Sequence, residues 1–152
     1  MKPFLIRSAA LADAQTLADF NVEMARETEE KPLEREVVLQ GVRGVLEEAR
    51  NGFYLLADDS AGRIIGALLI TFEWSDWRNG PIWWIQSVYV VPDWRGRGVY
   101  RALYAGVKSL AQSTSDVRGV RLYVERDNLN AQKVYARLGM IETPYRIFEE
   151  LF

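Results

Sequence analysis

The run IWWIQSVYVVPDWRGRGVYRALYAGVKSLA (Ile82–Ala111) constrains the fold more than any other stretch. Up to Val91 it is apolar, aromatic and β-branched, the composition of a strand. Pro92 ends that pattern, and Gly96 and Gly98 follow among arginines. Beyond them Val99, Ala102, Leu103, Gly106, Val107, Leu110 and Ala111 recur at intervals that place them on one helical face. The next run, VRGVRLYVER (Val117–Arg126), reads as a strand again. Strand, glycine turn, amphipathic helix and strand together predict a crossover packed on a sheet.

The rest of the chain supplies partners for that crossover. FLIRSA (Phe4–Ala9) predicts a first strand. Leu11, Ala14, Leu17, Ala18, Asn21, Met24 and Ala25 predict a helix, which the polar, proline-containing TEEKPLE (Thr28–Glu34) interrupts. Val37, Val38, Val42, Val45, Leu46 and Ala49 predict a second helix that Arg50, Asn51 and Gly52 close. FYLLAD (Phe53–Asp58) and RIIGALLITFEW (Arg63–Trp74) read as strands joined by a hairpin, and SDWRNGP (Ser75–Pro81) as a second hairpin turn. A short helix carries Ala131, Val134, Tyr135 and Leu138 and stops at Gly139. MIETPYRIFEELF (Met140–Phe152) predicts one or two closing strands. The order predicts an α/β chain of α+β type: a mixed, mostly antiparallel central sheet of about six to seven strands with about four helices. With no linker or repeat, residues 1–152 read as a single domain.

Composition narrows the chemistry. The chain has no cysteine, which removes disulfides, thiolate metal sites and a cysteine nucleophile. It has no histidine, which removes the Ser-His-Asp triad and His-bound zinc, so no metal site is expected. Acid–base work falls to carboxylates, tyrosine, lysine or water. The net charge of −2 argues against nucleic acid as a partner. MKPFLIRSAA holds too short an apolar run for a signal peptide, and IIGALLITF (Ile64–Phe72) is too short to span a bilayer. The expectation is a cytoplasmic protein with no membrane partner.

The glycine turn has a physical meaning of its own. The first N–H groups of a helix lack internal partners and face the positive end of its dipole. Glycines let such amides approach a phosphate, and Arg95, Arg97 and Arg101 add charge. The loop lacks the ending of a Walker A motif and the three-glycine dinucleotide spacing. Taken alone it reads equally well as a phosphate cradle or as a turn with solvated arginines. A second constellation stands in ERDNLNAQKVYARLGM (Glu125–Met140): Asn128, Ala131, Tyr135 and Gly139. Taken singly, these read as a turn residue, a packed alanine, a core tyrosine and a helix C-cap.

Together, VYVVPDWRGRGV and N-x-x-A-x-x-x-Y-x-x-x-G resemble the GNAT superfamily of N-acetyltransferases. The resemblance implies the acyl-CoA N-acyltransferase fold, with acetyl-CoA as coenzyme. It implies direct transfer to a primary amine of a small molecule or peptide in a ternary complex. Backbone groups of Val88, Tyr89 and Val90 would hold the pantetheine arm and thioester carbonyl. The amides of Arg97, Gly98, Val99, Tyr100 and Arg101 would cradle the pyrophosphate, with Arg95 and Gly96 in the same loop. Asn128 and Ala131 would contact the pantetheine side, and Tyr135 would point its hydroxyl at the thioester sulfur. The family usually has glycine or alanine where this chain has Tyr100, whose ring either packs beside Arg101 or narrows the entrance.

The amine side departs from the family. Many members carry a glutamate on the central strand, where this chain reads WWIQS (Trp83–Ser87). Glu73 is the nearest candidate base, acting through water, ahead of Glu125 and Glu23; a solvated strand end is the equal alternative. FEWSDWRNGPIWWIQSVYV resembles the diamine and polyamine branch, but Gln86 and Ser87 replace its acidic pair. Trp74, Trp84, Gln86 and Glu27 are the expected acceptor-side residues, with tryptophan rings holding an ammonium. Strand alternation turns about half of Trp74, Trp77, Trp83 and Trp84 toward a core. A homodimer is common among such proteins. The alternative to an enzyme is a catalytically weak acyl-CoA-binding module or regulatory domain.

Overall fold

The computed structural model describes residues 4–152. In chain order it contains β1 (Phe4–Ser8), α1 (Ala14–Glu29), α2 (Arg35–Glu47), β2 (Phe53–Asp59), β3 (Ile64–Ser75), β4 (Gly80–Val90), α3 (Val99–Ser113), β5 (Gly119–Arg121) and α4 (Leu129–Arg137). The chain forms two compact units, one ending at Leu122 and the other spanning Tyr123–Phe152.

The first unit holds one sheet in the order β1-β2-β3-β4-β5. The pairs from β1 to β4 are antiparallel, and β5 joins β4 in parallel after the α3 crossover. Residues 54–58 of β2 are buried without a break, because helices cover both faces of the sheet. Leu17, Ala18, Leu39 and Val42 of α1 and α2 pack on Tyr54, Leu56 and Ala67. On the opposite face Val99, Leu103 and Val107 of α3 pack on Leu55, Leu68, Ile70, Trp83 and Ile85. Gly66 sets how closely α3 approaches: a Cβ there would stand 2.8 Å from Val99 Cγ1. The start of α3 is thereby fixed against β3.

A polar clasp ties β1 to this core. Arg7 donates from Nε to Asp58 Oδ2 at 2.5 Å and from Nη1 and Nη2 to the two Asp13 oxygens at 2.9 and 3.1 Å. Asp13 also accepts from the Ala10 amide at 2.7 Å. The Arg7 hydrogen bonds hold the Asp13 carboxyl below the usual carboxylate range against the opposing effect of burial.

The second unit contains α4 and the stretch after it, and none of its residues is fully buried. Asn128 caps α4, its Oδ1 accepting from the Ala131 amide at 3.1 Å.

Three expectations about strands are corrected. The sheet has five strands among the described residues, below the expected number. The expected strand Val117–Arg126 shortens to Gly119–Arg121, because its pairing with β4 stops at Trp84↔Arg121. The segment 140–152 carries no strand: Tyr145, Ile147, Phe148 and Leu151 alternate imperfectly and are exposed, so no pairing fixes them as extended ladder.

Candidate active site

β4 is paired on both edges only as far as Trp84. From Ile85 to Val90 it pairs with β3 alone, and no strand among the described residues takes its other edge. Backbone N–H and C=O groups on that edge, apart from Val90 O, which accepts from Arg95, can therefore be bound by an extended ligand as by an added strand. The register with β3 also slips in this half. Leu69 faces Gln86, while Ala67 faces Tyr89, so β4 carries one extra residue between them. Ser87 sits there with φ of 49°, in the left-handed region that only a small share of non-glycine residues adopt. The bulge reverses the pleat. Gln86 and Tyr89 share the α1 side, with Tyr89 against Phe20 at 4.8 Å between ring centroids, while Ile85, Val88 and Val90 pack on the α3 side.

The loop beyond β4 delivers helix amides. Gly96 and Gly98 have φ of 72° and 85°, and Gly98 is the N-cap of α3. A Cβ added at either would meet no atom within 4 Å, so it is conformation rather than crowding that calls for glycine there. The Ala102 amide bonds back along the helix to Gly98 O at 3.0 Å. The first turn of this 15-residue helix is the positive end of its dipole, where an anionic group is stabilised. Arg97 and Arg101 are exposed beside it. Tyr100 packs against the α3-side core, 6.4 Å from the Tyr104 ring, so its bulk is turned inward rather than across the loop.

Arg95 has another occupation. Its Nη2 donates to Glu27 Oε2 at 2.7 Å, its Nε donates to Val90 O at 2.8 Å, and its guanidinium lies 5.5 Å from the centroid of the Tyr89 ring. It joins the end of α1 to the end of β4. Its charge is shared with Glu27, whose carboxylate is thereby tied to the loop.

The acceptor-side residues separate by face. Glu73 pairs with Ile82, Thr71 with Trp84, and Trp84 with Arg121, so the pleat places Thr71, Glu73, Trp84, Gln86 and Arg121 together. Gln86 Nε2 donates to Thr71 Oγ1. Arg121 Nη1 donates to Glu73 Oε2 at 2.7 Å. Trp74 lies on the other face, with Phe72, and is exposed. Trp77 is exposed in the hairpin turn, while Trp83 is buried among Phe53 and Phe72. Sequence reasoning brought Glu73, Trp84 and Gln86 to one place, named Ser87 without its bulge, and missed Thr71 and Arg121. The polar pair Gln86-Ser87 inside an apolar strand was the signal for the bulge.

In the second unit, Tyr135 lies on the face of α4 that also carries Ala131 and Leu138, all partly buried. Burial pushes its phenol above the ordinary tyrosine value, so it keeps its proton at neutral pH.

The model of the acetyltransferase (GNAT) family matches residues 14–140. The chain belongs to that family. Mycothiol acetyltransferase of Actinosynnema mirum is 38% identical over 99 residues, covering 62% of this chain and 31% of that protein. This GNAT chain thus spans about a third of the length of the curated relatives it matches. The crystal structure of a possible acetyltransferase from Clostridium difficile 630 superposes with a TM-score of 0.91 at 37% identity over 99% of both chains. A predicted acetyltransferase from Clostridium acetobutylicum, solved with acetyl-CoA, shares the GNAT fold at a TM-score of 0.80 and 16% identity, over 97% of this chain and 96% of that one. No helix among the described residues is long and apolar enough to cross a membrane.

Proposed function

We propose that this GNAT chain transfers the acetyl group of acetyl-CoA directly to a primary amine of a small molecule or peptide. The observation that carries the reading is one of continuity. The one-sided half of β4, with its bulge at Ser87, is followed through the short turn at Pro92–Trp94 and the glycine loop by the first turn of α3. An extended arm and a pyrophosphate, joined in one ligand, need those two features in that order. Family membership and the relatives named mycothiol acetyltransferase support a small-molecule acceptor.

When bound, acetyl-CoA supplies an activated acetyl group on sulfur. The chain's own parts then divide the work. The β4 edge at Val88–Val90 orients the arm and offers an amide to the acetyl oxygen. The amides of residues 97–101, with Arg97 and Arg101, hold the pyrophosphate. Arg95 holds the loop by its bonds to Glu27 and Val90. By the family resemblance Asn128 and Ala131 would contact the arm, and Tyr135 would donate a hydrogen bond to the departing sulfur, a role its retained proton supports. An alkylammonium, with a reference value of ~10.4, must lose a proton before it attacks. Glu73 is the nearest carboxylate on the acceptor face, and water carries the proton to it. On this reading residues 1–152 serve one catalytic domain in the cytoplasm, alone or as a homodimer.

The Glu73–Arg121 pair favours one second reading, an acyl-CoA-binding module with weak catalysis, because it occupies the candidate base. One experiment ranks both. Acetyl-CoA at about 100-fold over its Kd should raise stability by ~2.7 kcal/mol in a thermal-shift assay. Thiol release with an amine panel then separates enzyme from module. No stabilisation by acetyl-CoA at high excess removes both readings.

A further inference from the structure

The acceptor face carries a matched pair of opposite charges, and this narrows the acceptor class. Glu73 on β3 and Arg121 on β5 reach across β4 and meet beside Trp84, two residues along the strand from Gln86. Their side chains are 42% and 31% exposed, so the pair is open to ligand. An exposed pair of this kind contributes at most ~1 kcal/mol, so a ligand that satisfies both partners displaces it at small cost. Arg121 makes one side-chain hydrogen bond among the described residues, and a guanidinium has further N–H donors arranged for two-point contact with a carboxylate.

We propose that the preferred acceptor carries its own carboxylate close to the amine, as a free amino acid or small amino-carboxylic acid does. Arg121 takes the carboxylate, and Glu73, released from Arg121, takes the ammonium. A plain polyamine matches this face poorly, since the guanidinium stands where a second ammonium would need an acid. The Gln86–Thr71 hydrogen bond keeps the neighbouring position neutral. The alternative is that Arg121 only neutralises Glu73 and the acceptor is an ordinary amine.

The inference rests on the acetyltransferase reading, and the test keeps the two apart. The probes are matched triads such as leucine, leucinamide and isoamylamine, assayed with the full chain by thiol release from acetyl-CoA. The amino acid is expected to exceed its decarboxylated amine in kcat/KM by about 10- to 100-fold, the worth of a hydrogen bond to a charged group. Arg121→Gln is expected to bring that ratio near one through KM, and Arg121→Lys to restore part of it. A ratio at or below one in the unaltered protein overturns the proposal, as does a preference that survives Arg121→Gln. Circular dichroism confirms that both variants fold. If acetyl-CoA binds but no probe turns over, ligand-observed NMR of the same triads with coenzyme A present decides. Binding that requires the carboxylate and weakens in Arg121→Gln supports the proposal, and any other pattern overturns it. Absence of acetyl-CoA binding removes the acetyltransferase reading itself, and this proposal with it.

Discussion

Residues up to Leu122 and residues after it are held by different means. The first unit buries apolar side chains on both faces of its sheet, around Leu56, Leu68 and Leu103. The second has no fully buried residue, and Ile141, Tyr145, Ile147, Phe148, Leu151 and Phe152 are exposed. The features expected to bind coenzyme A and the acceptor lie mostly in the first unit, whereas Tyr135 lies in the second. Groups expected to hold a fixed geometry are carried by the densely packed part. The group expected to act on the leaving sulfur is carried by a helix with far less buried apolar surface, the kind of segment that opens at lower free energy.

The most severe way to break this contrast is to excavate the first unit. Leu103→Ala should cost about 3 kcal/mol or more in chemical denaturation, because the side chain is fully buried. Val134→Ala in α4 should cost less than about 1 kcal/mol. Equal losses would show that the two regions are packed alike.

Arg7→Ala should cost about 2–3 kcal/mol, since it strands two carboxylates, Asp58 being nearly buried, with some discount for the exposure of Arg7. The pH dependence has a definite sign. The folded value of Asp13 is depressed, so its contribution is present above the unfolded value of ~3.9 and is lost as pH falls through the folded one. Denaturation midpoints should therefore fall more steeply in acid for the unaltered protein than for the variant.

Tyr135→Phe should lower turnover about 10- to 100-fold while leaving acetyl-CoA affinity largely intact. Steady-state kinetics beside a direct binding measurement checks it, and unchanged turnover removes Tyr135 from the mechanism. The smallest effect belongs to the bulge. Ser87→Val should cost about 1–2 kcal/mol, because a β-branched residue is strained at positive φ, while Ser87→Gly should be nearly neutral. If valine is tolerated without loss, the left-handed turn is not what opens β4.

The element order was readable because each element marks itself locally. A β-branched and aromatic run gave way to spacings of three and four beyond Gly96 and Gly98, and glycine or proline stood near most ends. The loop residues were legible for the same reason. What was not legible depends on partners far along the chain. Nothing near Glu73 announces Arg121, which β5 brings to it by pairing with the far edge of β4. Nothing near Arg95 announces Glu27, which the fold sets against it. The tail YRIFEELF has strand-like composition, but a strand needs an edge to join, and its sequence does not say whether one is offered. Tyr100 looked discordant because its spacing gave no sign of the packing that absorbs it.

The five tryptophans also make the protein its own optical gauge. Trp83 is buried in the core, Trp77 is 85% exposed, and Trp84, on the face proposed for the acceptor, is half-buried, as is Trp94. A water-soluble collisional quencher will silence Trp77 and Trp74 first and Trp83 last. The emission that survives moderate quencher comes from Trp83, Trp84 and Trp94, so a shift with an added amine that disappears in Trp84→Phe would report occupancy of the proposed acceptor face in solution without a label.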